Sequence, residues 1–255
     1  MLLAVDIGNT DTVLAVFDGP SVAGHWRVPT VKKNSVATCL EFLRETLFAA
    51  GVEARDLKDV VACSVVDEVN GTFRRAVKEF TGLEARFVGE EIAPPMPVIT
   101  ENPAEVGADR IVNGFAAYSI FKREVIVVDF GTAITVDYIT GKGEYAGGSI
   151  APGIGISLEA LVSRTSKLPD VELKKPAMVV GRNTVESMRS GFFYGFTGLV
   201  DGIIKNMIDE RGGRPKVIAT GGGSGLIKDS SEFIEETDEM LTMKGLKILS
   251  EGARK

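Results

Sequence analysis

The sequence has few of the residues on which many secreted proteins and many enzymes depend. Its 255 residues include two cysteines, Cys39 and Cys63, and one histidine. Two cysteines outside a C-x-x-C spacing do not form a disulfide framework, and they fit a reduced compartment. The sole histidine, His25, stands beside Trp26 on an expected strand, where a structural role is the commoner one. Any general-base chemistry is therefore expected from a carboxylate.

Long apolar runs and basic stretches are also missing. No apolar run reaches ~18 residues, and the N-terminus lacks the pattern of a signal peptide, so we expect no membrane-spanning helix and no membrane partner. The 29 basic and 35 acidic residues give a net charge of −6 without a basic stripe, which argues against nucleic acid as a partner. We expect a cytoplasmic protein.

The common nucleotide-binding and hydrolase motifs are absent as well. There is no G-x-x-x-x-G-K-[ST] loop, and the run Gly221–Gly225 departs from G-x-G-x-x-G because Leu226 takes the last position. Neither G-x-S-x-G nor H-E-x-x-H occurs. These absences exclude the P-loop, Rossmann, α/β-hydrolase and zincin signatures, so a nucleotide would have to be bound in another way.

One short phrase is present twice, about half the chain apart. Residues 5–13 read VDIGNTDTV, and residues 128–136 read VDFGTAITV, so that Asp6 matches Asp129. Each copy follows an apolar run and precedes a second one, which predicts a strand, a tight glycine turn and a second strand. Such turns can hold phosphate on backbone N–H groups and hydroxyls, while the aspartate holds a metal ion or water.

A third glycine turn, Thr220–Gly223, also follows an apolar strand. Three such turns in this order suggest the architecture of actin, hexokinase and Hsp70, in which the first two hold phosphate and metal and the third lies by the adenosine. We therefore predict two duplicated RNase H-like α/β domains, with mixed sheets flanked by helices. The expected domains are residues 1–115 and 116–255, with the last helix packing back on the first domain.

Two expected helices contain glycines, which lower helix propensity. One is expected from Pro103 or Ala104 to about Phe121, with Gly107 inside it beside Asp109 and Arg110. An adjacent Asp and Arg can supply a base and an anion anchor, although a surface ion pair near a helix start is the simpler reading. The other helix, at about residues 184–208, has glycines at 191, 195, 198 and 202, for which close packing against another element is expected.

The chain resembles the type III pantothenate kinases across nearly its full length. Each matching phrase is modest alone, but together and in order they are specific. The phrases are Asp6–Thr10, Trp26-Arg27, Ser64–Val66, Asn102–Arg110, Asp129–Ala133, Gly147–Gly153, Leu168-Pro169, Gly181–Thr184, Ala219–Gly222 and Leu241–Leu246.

The resemblance implies a set of site residues. Pantothenate would contact Gly107, Ala108, Asp109, Arg110, Thr184 and Thr100, with Asp109 as the catalytic proton acceptor. ATP would contact Asp6, Ile7, Gly8, Asn9, Thr10, Asp11, Thr12, Val13, Thr132, Gly221 and Gly222. Asp129 would bind a monovalent cation, K⁺ or NH₄⁺, and Asp6 would hold Mg²⁺ through water. The resemblance also implies a homodimer.

Two positions depart from the family pattern. Asp11 stands where Asn is common, and its extra carboxylate beside phosphates should repel them unless Mg²⁺ lies between. Thr100 stands where the family often has a Tyr that packs on pantothenate, so that the aromatic wall is lost while a hydroxyl is kept.

The predicted function is ATP-dependent phosphorylation of pantothenate to 4′-phosphopantothenate, the first step of coenzyme A biosynthesis. Two alternatives remain open from the sequence. One is a non-catalytic regulatory or accessory protein on the same fold. The other is a kinase of another small hydroxy compound, in the manner of an acetate- or sugar-kinase relative.

Overall fold

The computed structural model describes residues 1–32 and 35–252, which form two compact units. The first unit comprises the described residues of 1–97, 101–116 and 241–252, and the second comprises residues 98–100 and 117–240. The chain therefore leaves the first unit, forms the second, and returns to the first with its last helix. Each unit has one five-stranded mixed sheet.

The sheet of the first unit has the strand order β3-β2-β1-β4-β5. Its strands are β1 (Leu2–Ile7), β2 (Asp11–Asp18), β3 (Ser21–Pro29), β4 (Asp59–Ser64) and β5 (Ala85–Phe87). The first three strands pair antiparallel, and β4 and β5 continue the sheet in parallel with β1. The apolar runs of β1 and β4 make them the buried centre of this sheet.

Helices lie on both faces of this first sheet. Two of them, α1 (Val36–Ala49) and α2 (Asp67–Thr81), pack on the face that carries Leu3, Val5 and Ile7. The last helix of the chain, α7 (Leu241–Gly252), packs against β1 and β4. Because side chains alternate along a strand, α7 occupies the opposite face.

The second unit repeats this plan with the strand order β10-β9-β6-β7-β8. Its elements are α3 (Ala108–Phe121, which begins in the first unit), β6 (Val125–Phe130), β7 (Ala133–Ile139), β8 (Tyr145–Pro152), α4 (Ile154–Ser163), α5 (Thr184–Arg211), β9 (Lys216–Thr220), α6 (Ser224–Ile227) and β10 (Glu236–Thr237). As in the first unit, three strands form an antiparallel meander and two extend it in parallel. The predicted duplication and fold class are confirmed.

The predicted start of α3 was wrong. Residues Pro103–Glu105 form one turn of 3₁₀-helix, Val106 is extended, and the α-helix begins at Ala108. The extended residue interrupts the helical hydrogen bonds, so Gly107 precedes the helix and does not lie inside it. Gly107 therefore carries no helix-interior penalty, and its oxygen accepts the N–H of Ile111.

The expected packing of the α5 glycines within the chain was also wrong. A Cβ added at Gly191, Gly195, Gly198 or Gly202 would meet no heavy atom within 4 Å, apart from the helix's own backbone. These positions instead form an open strip on α5. As for membrane crossing, every helix in the described part of the chain is too short or too polar to span a bilayer.

Candidate active site

The first glycine turn joins β1 to β2 and is tied to the end of β3. Gly8 N donates to Asp11 O at 2.9 Å, which closes the turn. Thr30 N then donates to Thr10 O at 2.7 Å, and the hydroxyls of Thr12 and Thr30 are 2.8 Å apart. The turn thus has a fixed shape while Thr10 remains exposed. A glycine turn held in one shape in this way is suited to binding phosphate.

Asp6 lies half-buried at the end of β1, immediately before this turn. Its Oδ1 accepts a hydrogen bond from the Cys63 thiol on β4, with a sulfur–oxygen distance of 3.3 Å. Burial raises the pKa of Cys63 well above its ordinary value, and the charges of Asp6 and Asp109 raise it further. Cys63 therefore remains a thiol donor, which orients the Asp6 carboxylate.

Asp11, the departure from the family pattern, is paired with a basic residue. Arg27 Nη1 on β3 lies 3.2 Å from Asp11 Oδ2. Close by, Lys32 Nζ donates to Asn9 Oδ1 at 3.1 Å. Two cationic side chains therefore border the first turn, and the charge of Asp11 is offset by the protein itself. Sequence reasoning missed both contacts, although Arg27 stood in a matching phrase.

The start of α3 carries Gly107, Ala108, Asp109 and Arg110. Local hydrogen bonding there orients the Asp109 carboxylate. Asp109 Oδ1 accepts the N–H of Arg110 at 2.8 Å. A Cβ at Gly107 would lie 2.5 Å from the same oxygen and 3.4 Å from Val65 Cγ1, at the end of β4. Glycine at 107 thus leaves room for the Asp109 carboxylate.

The first unit brings two predicted site carboxylates to one place. Asp6 bonds to Cys63, and Asp109 is close enough for its charge to raise the pKa of the same thiol. Sequence reasoning named both aspartates but missed Cys63. The parallel pairing of β1 and β4 sets Asp6 opposite Cys63, a register that only the structure shows.

The second unit holds the other copy of the turn, between β6 and β7. Gly131 N donates to Ala133 O at 3.1 Å, and Gly153 N donates to Thr132 O at 3.0 Å. Thr132 is exposed, and Asp129 is half-buried at the end of β6. As in the first turn, an aspartate lies near the end of the strand and a backbone hydrogen bond closes the glycine turn, but the second turn is one residue shorter.

The third glycine turn lies against Asp129 within the second unit. Gly221 has a φ of +82°, and a Cβ there would lie 2.5 Å from Asp129 Oδ1 and 2.7 Å from Phe130 O. Any other residue would be strained in backbone conformation and would clash. Gly222 is exposed beside it. The structure thus brings Asp129 and the Gly221 turn together.

Thr100 and Thr184 occupy separate places in the second unit. Ile99 N donates to Tyr145 O at 2.9 Å, which sets Thr100 beside β8, and Thr100 Oγ1 is buried without a hydrogen-bond partner. Thr184 is the first residue of α5, where Asn183 Oδ1 accepts the N–H of Glu186. Thr184 lines a largely apolar groove of about 620 Å³.

The carboxylates suit a metal that arrives with a nucleotide. Among the described residues, no three His, Cys, Asp or Glu side chains are grouped so as to hold a metal ion. Mg²⁺ in phosphate-binding sites is commonly held by one or two carboxylates, several waters and the phosphates themselves. Asp6, a single oriented carboxylate beside the first glycine turn, fits that donor set.

The fold and the repeated Asp-Gly turns define a class, the proteins of the actin–hexokinase–Hsp70 fold. Solved structures share the fold at low identity. The ethanolamine utilization protein EutJ from Carboxydothermus hydrogenoformans has a TM-score of 0.57 at 20% identity, covering 97% of this chain and 89% of that chain. The activator of 2-hydroxyisocaproyl-CoA dehydratase from Clostridium difficile has a TM-score of 0.56 at 11% identity, covering 99% and 97%.

Sequence relatives narrow this class to a family. A protein of Anaeromyxobacter sp. (strain K) named type III pantothenate kinase is 47% identical over 254 residues, covering 100% of both chains. One of Geotalea uraniireducens (strain Rf4) with the same name is 45% identical over 249 residues, covering 98% of this chain and 97% of the relative. The family profile "Type III pantothenate kinase" matches residues 2–206. The chain belongs to the type III pantothenate kinase family.

Proposed function

We propose that the protein catalyses ATP-dependent phosphorylation of pantothenate to 4′-phosphopantothenate, the first step of coenzyme A biosynthesis. The observation that carries this proposal is the full-length match, at 45–47% identity, to relatives named for the activity. The retained site residues argue against a non-catalytic regulator. The two compact units are proposed to be the actin-like domains expected at 1–115 and 116–255.

ATP is assigned to the glycine turns. The first turn, Asp6 to Val13, and Thr132 of the second would bind the phosphates, and Gly221 and Gly222 would lie by the adenosine. Asp6 would hold Mg²⁺ through water. When bound, Mg²⁺ neutralises charge on the phosphate oxygens. The closed shape of each turn supports this assignment, because preset N–H groups bind phosphate without further ordering of the chain.

Pantothenate is assigned to the start of α3, with Thr184 and Thr100 as further contacts. Its primary hydroxyl attacks the γ-phosphorus of ATP in line, the bond to the β-phosphate oxygen breaks, and ADP leaves. Asp109 accepts the hydroxyl proton as the new bond forms, and Arg110 binds the substrate carboxylate or the developing charge. Such transfers depend chiefly on positioning and charge stabilisation. The buried, unpartnered hydroxyl of Thr100 supports its role as a polar contact.

A monovalent cation, K⁺ or NH₄⁺, is assigned to Asp129. The half-buried Asp129 carboxylate and the Phe130 carbonyl oxygen both lie beside Gly221. Oxygen atoms are the ligands of such cations. The cation would offset charge on the nucleotide next to the second turn.

A homodimer is proposed on the open strip of α5. Gly191 and Gly195 line the groove with Leu161, Met188 and Phe192, and the glycines leave space for another helix. The partner would close an apolar surface that a single chain leaves exposed.

A cytoplasmic location is proposed from the two unpaired, buried cysteines, which fit a reducing compartment.

Release of ADP from ATP with and without pantothenate tests the proposed function. The assay runs in K⁺ and Na⁺ buffers, and mass spectrometry identifies the product. We expect pantothenate-dependent ADP and an equal amount of phosphopantothenate, faster in K⁺. Turnover of another compound in a panel of small hydroxylated substrates, without turnover of pantothenate, would favour the other-kinase alternative. No turnover with any of them would favour the regulatory one.

A further inference from the structure

Helix α7 is hydrogen-bonded to α3 one turn after the proposed base. Thr242 Oγ1 donates to Asn113 Oδ1 at 2.7 Å, and both residues are buried. Asn113 follows Asp109 by four positions, so the two side chains project from the same face of α3. The hydrogen bond therefore fixes α3 at the turn that adjoins Asp109.

A glycine lets the two helices meet at this height. A Cβ at Gly245 would lie 2.7 Å from Val112 Cγ1 and 2.9 Å from Val112 O. The Gly245 backbone therefore lies against Val112, and no side chain fits between the two helices at this point. Helix contacts of this kind have discrete registers because interiors are close-packed.

The far end of α7 is fixed separately to the sheet. Ser250 Oγ donates to Asp59 Oδ2 at 2.5 Å, and Arg86 holds both oxygens of the same carboxylate at 3.3 and 2.6 Å. Asp59 begins β4, the strand that carries Cys63 and lies beside β1. The far end of α7 is thus anchored on β4, apart from the Thr242–Asn113 bond.

From these contacts we infer that Thr242 and Asn113 are positioning residues for the phosphoryl transfer, acting through the start of α3. This inference rests on the proposed function, since it assumes that Asp109 accepts the substrate proton. Neither residue contacts the reacting atoms. Their hydrogen bond sets the height at which α3 presents Asp109 next to the Asp6–Cys63 pair.

The test compares three substitutions on α7. Thr242→Val keeps the shape of the side chain and removes its hydroxyl, whereas Thr242→Ser keeps the hydroxyl. Ser250→Ala removes another buried hydroxyl of α7, the one that bonds to Asp59 on β4. We expect Thr242→Val to lower kcat for pantothenate about tenfold, short of the ~10²-fold that a 1 Å misplacement can cause. KM for ATP should stay within about twofold, because the ATP contacts are elsewhere.

The controls separate positioning from stability. Thr242→Ser should restore kcat to within about twofold of wild type, and Ser250→Ala should lower the unfolding temperature without lowering kcat. Equal kcat losses in Thr242→Val and Ser250→Ala, or no rescue by serine, would overturn the inference. If Thr242→Val does not fold, Asn113→Ala applies the same test from α3. A wild-type protein inactive on pantothenate would refute the proposed function instead, before any variant is compared.

Discussion

Asp109, the proposed proton acceptor, has a carboxylate whose position is set by its neighbours. Gly107 leaves space on one side of its carboxylate, and the N–H of Arg110 holds one oxygen at 2.8 Å. A carboxylate in this position would orient the substrate hydroxyl as well as accept its proton.

Asp109→Asn is expected to keep the fold and to lower kcat by about 10²–10⁴-fold, because the shape remains while the proton acceptor is lost. Steady-state kinetics with pantothenate and a thermal unfolding curve check both parts. Glu105→Gln is the matched control, since it removes an exposed carboxylate from the preceding 3₁₀ turn. Near-normal turnover in Asp109→Asn would show that another group accepts the proton.

Arg27 neutralises Asp11, and the pair can be tested by a double-mutant cycle. Arg27→Gln should raise KM for ATP severalfold, because Asp11 is then left uncompensated beside the phosphates. The further change Asp11→Asn should restore most of the loss. The pair is partly exposed, at 44% and 34% of the two side chains, so the coupling should be about 0.5–1 kcal/mol. Additive effects of the two changes would mean that Arg27 acts on ATP directly.

Several of these residue contacts lay beyond the reach of sequence reasoning. The aspartates could be predicted because each ends an apolar strand before a glycine turn. The Cys63–Asp6 bond depends on the pairing of β1 with β4, which are separated by more than 50 residues. The Arg27–Asp11 pair depends on the register of a hairpin. Both are decided by tertiary geometry, to which local patterns give little access.

At the scale of elements, the strands were predictable and the helix starts were less so. Apolar runs marked β1, β4, β6 and β9, since these central strands are buried on both faces. The start of α3 was predicted too early because Pro103 suits the first turn of a helix. In the structure, Pro103 begins a 3₁₀ turn instead.

The hairpin of β6 and β7 yields a prediction about cation activation. Asp129→Ala should weaken the activation by K⁺ and raise the apparent KM for ATP, because a bound cation offsets phosphate charge only while its carboxylate ligand is present. Titration of K⁺ at constant ionic strength, with Na⁺ as replacement, gives the measurement. Asp137→Asn is unsuitable as a control because Asp137 accepts the buried Tyr145 hydroxyl. Lys142→Gln, in the exposed turn after β7, is suitable. An unchanged K⁺ response in Asp129→Ala would place the cation elsewhere.

At the scale of the whole molecule, the internal repeat was the strongest signal in the sequence. The same phrase at Asp6 and Asp129 predicted two related units, and the two sheets have corresponding strand orders. The last helix was expected to pack back on the first domain, and the structure places α7 in the first unit. Its sequence shows an amphipathic segment, but only the assembled first unit provides β1, β4 and the close contact of Gly245 with Val112 that hold it.

The last prediction concerns the dimer, whose separated monomer we expect to be inactive. Gly195→Leu places a large side chain in the groove that Thr184 also lines, so dimer content and pantothenate turnover should fall together. A glycine replaced in a helix gains up to ~1 kcal/mol of helix propensity, so lost folding is not the expected cause. Lys205→Leu is the control, because it adds an exposed leucine about 15 Å further along α5. Size-exclusion chromatography with light scattering gives the mass, and the same fractions are assayed. A wild-type monomer with full specific activity would refute the proposed dimer, and a dimeric, active Gly195→Leu variant would move the interface away from this strip.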